Sequence, residues 1–560
     1  MKKIKQVTII VLLITVFTVS MGYKSDFFEV AKQIEIYTTL FKELNMYYID
    51  ETNPAELTDI AIDKMLNNLD PYTKFYDEQG VEKARINAAG EYGGIGAAIK
   101  IVNDKLIVIE PYQNAPADKA GIKAGDEIIK INDVLIEETQ AEDAALLLNG
   151  TPNSKFTLQF KRQGKILTTE LTRETIDVDP VPYYQMLDDE VGYISFIKFN
   201  SKASSRVKDA FEDLKTQGMT KLILDIRGNL GGLLNEAVEI TNFFVPKDEV
   251  VVTTKAKVKK WSDVYKTKRE PIDMEIPIVV LIDHFSASAS EIVAGSLQDL
   301  DRAVIVGERS FGKGLVQRYR KLTYGTQLKL TISKYYTPSG RCIQELDYTH
   351  RDENGDVPKF SDKKINPFKT KNGRTVYDGG GIEPDIKLKK EEKTNATKAL
   401  LKSDAIFNYA TKYYYNNPEV TSSKEYIFTD NDYQQFLKYL KLDDDVFKTE
   451  TELQFTQALI TSETEGYKSK IEQEYQNLAD KIKVERINDL SNNKSEINEA
   501  ITNEIVRRYY YKKGEYIHKV HHDKSIIEAV KVLKNENKYQ NAGFYFNYHA
   551  YNICCCNWIY

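Results

Sequence analysis

Apolar residues recur at three- and four-residue steps through Phe27, Val30, Ala31, Ile34, Tyr37, Phe41 and Leu44, which makes one apolar face on a helix. A second helical pattern through Ile62, Met65, Leu66 and Leu69 stops at Asp70-Pro71, where proline removes an N–H and breaks the ladder. From Gly90 to Arg173 the pattern changes to short strands punctuated by glycine. These are 99–102, 106–109, 127–131 and the alternating Phe156, Leu158 and Phe160, with one helix over 141–148. Between 178 and 390, strand runs at 192–199, 221–226, 278–282 and 303–306 alternate with helical patterns at 203–215, 234–244 and 288–299. That alternation predicts an α/β layer with buried strands. After Lys390 the chain is charge-rich and helical, with a stripe of Ile471, Tyr475, Leu478 and Ile482. The segmentation is 1–22, 23–88, 89–174, 175–390, 391–542 and 543–560.

With 560 residues, 42% of them hydrophobic, the chain is long enough for several cores, and disorder throughout is excluded. The 77 basic and 83 acidic residues nearly cancel, so nothing argues for a nucleic-acid partner. Lys2, Lys3 and Lys5 precede the apolar run 7–22, which ends in Ser20-Met21-Gly22. This predicts an export signal at 1–22; retained uncleaved, it would be a membrane anchor, although the run is short against the roughly 20 residues of a spanning helix. The chain is thus expected in the periplasm or on the periplasmic face of the inner membrane. Of six histidines and four cysteines, only His284, His350 and Cys342 precede residue 517. That scarcity disfavours a metal centre and any thiol or imidazole chemistry, and no cofactor is expected. Residues 543–560 crowd aromatic side chains beside Cys554-Cys555-Cys556 without one charge, and read as a frameshifted or read-through end.

Two constellations carry chemistry. The first is Tyr92-Gly93-Gly94-Ile95-Gly96, whose consecutive glycines let backbone N–H groups turn inward as an anion nest. With Ala120-Gly121, Ala124-Gly125-Asp126 and Ile128-Ile129-Lys130-Ile131-Asn132 it resembles a PDZ domain, in which an extended peptide adds as a strand. The resemblance implies that Gly94, Ile95 and Gly96 hold a terminal carboxylate and that Leu146 and Leu147 wall the side-chain pocket. A glycine-rich hairpin that binds nothing is the plainer alternative.

The second constellation is the strand 278–282 running into Asp283-His284-Phe285-Ser286-Ala287-Ser288-Ala289-Ser290-Glu291 and then a helix. A serine there sits beside the orphan N–H groups of the helix start, as a nucleophile or only as an N-cap. Downstream, Gly307, Gly312 and Lys313 imitate a phosphate-binding loop, but Gly314 stands where the magnesium-binding hydroxyl belongs and no long helix follows.

Together these blocks resemble the carboxyl-terminal processing peptidases, exported or thylakoid-lumen serine proteases that couple a PDZ domain to a Ser-Lys site. Asp225-Ile226-Arg227-Gly228-Asn229 with Gly231-Gly232, Leu297-Gln298-Asp299 with Asp301-Arg302-Ala303, and Gly380-Gly381-Ile382-Glu383-Pro384-Asp385 strengthen the resemblance. It implies a multidomain α/β fold: a ClpP/crotonase-like α/β protease core with an inserted PDZ domain and helical N- and C-terminal regions. It also implies Ser288 as nucleophile, Lys313 as general base, Gln317 orienting the lysine, and Ala289 with Gly231 or Gly232 as oxyanion donors. An ordinary lysine has a pKa of about 10.4, and lowering it to about 7.5 needs roughly 4 kcal/mol of differential interaction. Phe311, Leu315 and Val316 are candidates for the apolar wall that would do this, and His284 is the competing base. The expected activity is endopeptidase cleavage within protein C-termini bound by the PDZ domain. The rivals are a non-catalytic PDZ adaptor and a crotonase-like acyl-CoA enzyme. The helical region 391–542 would pack on the core, build a homo-oligomer or dock a partner.

Overall fold

The computed structural model describes residues 27–139, 141–352, 355–360, 365–389, 392–442 and 447–542. The segment 1–22, read above as an export signal, and the terminal aromatic segment 543–560 lie outside the described residues. The chain forms two units, one of residues up to Asp77 with Tyr319–Leu330, the other of the remainder. In the first, a helix over 27–47 leaves Phe27, Val30, Ile34 and Leu40 more than half exposed. A second helix, Pro54–Asn67, begins with Pro54 and is capped by the Asn53 side chain. It ends before Asp70, whose carboxylate accepts the N–H groups of Tyr72 (2.8 Å) and Thr73 (2.9 Å), so the turn is built by the aspartate as much as by Pro71. Strand Lys74–Tyr76 then pairs antiparallel with residues 327–329.

The second unit opens with helix α1 (Glu78–Ala89) and the PDZ domain. Five strands lie in the order β1 (Ala97–Val102), β2 (Lys105–Pro111), β3 (Glu127–Ile131), β4 (Lys155–Arg162) and β5 (Lys165–Thr172), each antiparallel to the next. The period-two pattern is met: Phe156, Leu158 and Phe160 enter the core with Leu106, Val108 and Ile128. Asp126, fully buried, receives a bidentate pair from Arg162 at 2.6 and 2.7 Å. Helix α2 (Ala141–Leu146) ends two residues before its predicted end, because Leu147 and Leu148 leave it in a tight turn onto Ala144 and Ala145. Outside the five strands, Glu91–Gly94 pairs antiparallel with Glu174–Asp177, so the chain enters and leaves this domain side by side.

The α/β core follows. Strands β6 (Tyr183–Met186), β7 (Val191–Ser195), β8 (Lys221–Asp225), β9 (Ile278–Ile282), β10 (Val304–Gly307) and β11 (Ile386–Lys387) form one sheet in that order, parallel from β7 onward. Helices α3 (Ala203–Thr216), α4 (Leu234–Asn242) and α5 (Ala289–Asp299) cover one face, packing on Leu222, Leu224, Ile278, Val280 and Ile305. The strands are apolar at alternate positions too, and Ile223, Val279, Leu281, Val304 and Val306 face the other way. That second face is covered by a stretch distant in sequence: Tyr516 and Val520 of α6 (Lys494–His522), Ile526, Ala529, Val532 and Leu533 of α7 (Lys524–Lys534), and Tyr539 of α8 (Glu536–Asn541). The C-terminal region thus packs on the core.

The rest of that region has its own core, with Tyr409, Phe436, Leu440, Leu490 and Ile501 at its centre. It also meets the PDZ domain, where the Tyr511 hydroxyl donates to Asp118 at 2.7 Å and Lys100 pairs with Asp404. The stripe predicted at Ile471 and Leu478 lies on helix Lys468–Asp489 but stays 41% and 44% exposed, packing only in part through a Phe455–Tyr475 stack. Among the described residues no helix is long and apolar enough to cross a membrane.

Candidate active site

Three loops with candidate chemistry leave the carboxyl ends of three adjacent parallel strands, where α/β sheets open their crevices. β8 leads into Ile226–Gly232, β9 into the serine loop, and β10 into the lysine loop.

The middle loop separates its serines by hydrogen bonding. Ser286 is buried and its hydroxyl donates to the Ile226 carbonyl at 2.9 Å; Ser290 is buried and donates to the Asn229 carbonyl at 2.7 Å. Both hydroxyls tie the serine loop to the loop after β8. Ser288 is the partly exposed one. It precedes the first residue of α5 at φ 57° and ψ −111°, a conformation that costs a side-chain-bearing residue of order 1–3 kcal/mol. The Ala289 N–H follows it as the first of the helix, one of the orphan donors that no intrahelical carbonyl can take.

Gly231 stands directly against this turn. At φ +91°, a Cβ on it would lie 2.6 Å from the Ala287 carbonyl and 3.0 Å from Ser288 Cβ, so only glycine fits. Its own N–H donates to Asn229 Oδ1 at 2.9 Å. Gly232 bridges to Phe199, where a Cβ would meet the Phe199 carbonyl at 2.2 Å.

The lysine loop is joined to the serine loop by Glu291. This wholly buried carboxylate accepts the Ser288 N–H (2.8 Å), the Lys313 N–H (2.9 Å), the Gly312 N–H (2.7 Å) and the Ser310 hydroxyl (2.6 Å). Burial pushes its pKa up to about 7, against the pull of these four donors toward the ionised form. The Phe311 N–H adds a bond to the Ser286 carbonyl at 3.1 Å, and the Tyr335 hydroxyl donates to the Ser288 carbonyl at 3.2 Å. Lys313 itself is half-buried; of its expected apolar wall, Leu315 is buried and Phe311 is 41% exposed. Residues Leu315–Lys321 after it form a strand, which is the geometric reason the phosphate-loop reading fails. Gln317 lies on that strand and donates to Thr331 Oγ1 at 3.2 Å. His284 is half-exposed and pairs with Glu308 at 3.2 Å.

The remaining motif residues hold the sheet. Gln298 donates to the Glu383 carbonyl and to Asp385, Asp385 accepts the Ile305 N–H at 2.8 Å, and Asp299 pairs with the buried Arg341 at 2.8 Å.

In the PDZ domain a groove of about 390 Å³ runs between β1 and α2. Ile95, Ala97, Ile99 and Ile101 line one side, Ala145, Leu146 and Leu148 the other. Gly94 ends the strand paired with Glu174–Asp177, and Gly96 turns at φ +66° with its carbonyl accepting the Tyr112 N–H at 2.8 Å. Leu147 is 39% exposed and outside the lining. Sequence reasoning missed Lys83, Ile86 and Asn87 of α1, which wall the groove from outside the domain. It quoted Glu291 without a role. Among the described residues no group of acidic, histidine or cysteine side chains is arranged to hold a metal.

Residues 190–350 match the model of peptidase family S41, residues 93–172 that of a PDZ domain, and residues 396–533 that of a probable PDZ-protease C-terminal helical domain. The chain is 36% identical over 326 residues to a carboxy-terminal-processing protease of Bartonella bacilliformis, covering 57% of this chain and 74% of that one. It is 33% identical over 333 residues to a probable CtpA-like serine protease of Staphylococcus aureus, covering 59% and 66%. A solved photosystem II D1 C-terminal processing protease is 27% identical with a TM-score of 0.36, over 63% of this chain and 92% of that one. The chain therefore belongs to the carboxy-terminal-processing proteases of peptidase family S41, and is a serine-type peptidase with a PDZ domain and a C-terminal helical domain.

Proposed function

We propose that the chain is an exported endopeptidase that binds the C-terminal tails of proteins in its PDZ groove and cleaves within them through a Ser288-Lys313 dyad. The observation that carries the reading is Glu291, one carboxylate gripping the backbone of both residues at 2.8 and 2.9 Å. In the proposed cycle the Lys313 amine takes the Ser288 hydroxyl proton as Oγ attacks the scissile carbonyl. The oxyanion forms beside the Ala289 N–H, where fixed donors act in a water-poor site. The Lys313 ammonium then protonates the leaving amine; water next loses a proton to the regenerated Lys313 amine as it attacks the acyl group, and the Lys313 ammonium returns that proton to Ser288 Oγ as the acyl–Oγ bond breaks. The Gly231 N–H joins the oxyanion once it turns from Asn229. The apolar groove suits an apolar tail, whose carboxylate meets the Gly94–Gly96 turn. The basic, then apolar, N-terminal segment supports export.

The test is cleavage of a peptide with a free C-terminus by the wild type, Ser288→Ala and Lys313→Ala, read by mass spectrometry. Both variants should fall by at least about 10³-fold. Full turnover by Lys313→Ala would sink the dyad, and tail binding without wild-type turnover would favour an adaptor. N-terminal sequencing of the mature protein tests export.

A further inference from the structure

The loop after β8 is held from both sides. Toward the serine it is bonded residue by residue: the Ile226 carbonyl takes the Ser286 hydroxyl, the Gly228 N–H reaches Asp283 at 3.0 Å, and the Asn229 carbonyl takes the Ala287 N–H at 3.0 Å and the Ser290 hydroxyl. Between Ile226 and Gly228 stands Arg227, which points the other way. Its Nε and Nη2 make a bidentate pair with Asp225 at 2.9 and 2.6 Å, and Asp225 also accepts the Tyr193 hydroxyl at 2.8 Å. The remaining nitrogen, Nη1, donates to both carboxylate oxygens of Asp523 at 3.1 and 2.9 Å. The side chains of Arg227, Asp225 and Asp523 are 13%, 3% and 10% exposed, so solvent screens the triad little.

Asp523 is not in the catalytic core. It is the N-cap of α7, and its Oδ1 also accepts the N–H groups of Ser525 (2.8 Å) and Ile526 (3.0 Å). Helix α7 is in turn fixed to the sheet by Ile526, Ala529 and Val532. A buried helix start therefore grips an arginine whose chain neighbours carry the turn against Ser288. We propose that Asp523 is a positioning residue for peptide cleavage: through Arg227 it fixes the Gly228–Gly232 loop against Ser288, which makes the C-terminal helical domain part of the catalytic apparatus.

The proposal rests on Ser288 being the nucleophile, and its test separates the two. Asparagine caps helices as well as aspartate. Asp523→Asn thus keeps the helix start, and Arg227 keeps Asp225, so no buried charge is orphaned. Wild type, Asp523→Asn, Arg227→Gln and the double variant would be compared, as full chains, for labelling by a fluorophosphonate probe, in which the serine Oγ bonds phosphorus and fluoride leaves, for kcat and KM on a tail peptide, and for Tm. Lys534→Ala is the control, because it removes an exposed pair to Asp188 from the same helix. The expected result is a fall of about 10- to 100-fold in the rate of probe labelling and in kcat for Asp523→Asn, with KM within about twofold, a Tm close to wild type and no further loss in the double variant. Lys534→Ala should match wild type. Labelling of Asp523→Asn at the wild-type rate, or a loss that tracks Tm or appears equally in Lys534→Ala, would overturn it. Labelling of Ser288→Ala at the wild-type rate would instead overturn the catalytic reading on which it rests.

Discussion

The Lys313 backbone N–H lies 2.9 Å from the Glu291 carboxylate, so the start of helix α5 grips the loop that carries the candidate base. Glu291 sits three residues beyond Ser288, at the helix position whose side chain folds back on the cap. The same carboxylate thus ends one element and aligns another.

Because burial raises the Glu291 pKa from 4.5 to about 7, its ionised form is disfavoured by folding. Its contribution to stability is then fully present below about 4.5 and lost as pH rises through about 7, a span of roughly 3 kcal/mol. Glu291→Gln should flatten that slope in urea titrations run between about pH 4.5 and pH 8. It should also lower kcat at least about tenfold, because a neutral amide replaces the charged acceptor of three N–H groups and a hydroxyl. An unchanged slope in the variant would show that Glu291 is not the group being titrated.

Gly231→Ala puts a Cβ 2.6 Å from the Ala287 carbonyl and strains a φ of +91°. The loop must move away from Ser288. We expect peptide cleavage to fall by about 100-fold or more, the scale of losing one oxyanion donor, while tail binding in the PDZ groove is unaffected. Equal losses of binding and turnover would point to global unfolding instead.

Leu146 lines the PDZ groove and Leu147 is 39% exposed outside it. Truncating the first should weaken binding of an apolar tail peptide by about 1–3 kcal/mol, and truncating the second should leave it within about 0.5 kcal/mol. Calorimetry on Leu146→Ala and Leu147→Ala decides; the reverse ranking would place the tail elsewhere.

Burial pushes the Cys342 thiol up, so it holds little thiolate at neutral pH. Iodoacetamide at about pH 7.5 should leave Cys342 unlabelled in peptide mass maps and turnover intact. Loss of activity tracking Cys342 labelling would bring sulfur back into the chemistry.

The sequence made some of this legible and hid the rest for definable reasons. Ile278–Ile282 reads as a strand buried on both faces because all five residues are apolar. Nothing local says that Ala529 and Val532 cover Val279 and Leu281, since helix periodicity gives a face but not its target. Glu291 was visible as a letter and invisible as a role. Three of its four donors are main-chain N–H groups, which carry no residue identity. Among Ser286, Ser288 and Ser290 only the family resemblance singles out Ser288; the local pattern does not show that the other two hydroxyls are bound to the carbonyls of Ile226 and Asn229, about 60 positions upstream. Lys83, Ile86 and Asn87 were overlooked because helix α1 carries Glu78, Glu82 and Arg85 and looks like a solvated face.

The sheet that presents the serine is roofed on one side by residues made long after its strands, from Tyr516 to Tyr539. During synthesis, strands β7 to β10 must wait with an apolar face uncovered while the intervening helices emerge, which exposes the growing chain to aggregation and invites chaperones. A chain interrupted before Asp523 lacks both the roof and the grip on Arg227, so prematurely ended copies are expected to be inactive as peptidases as well as prone to aggregate.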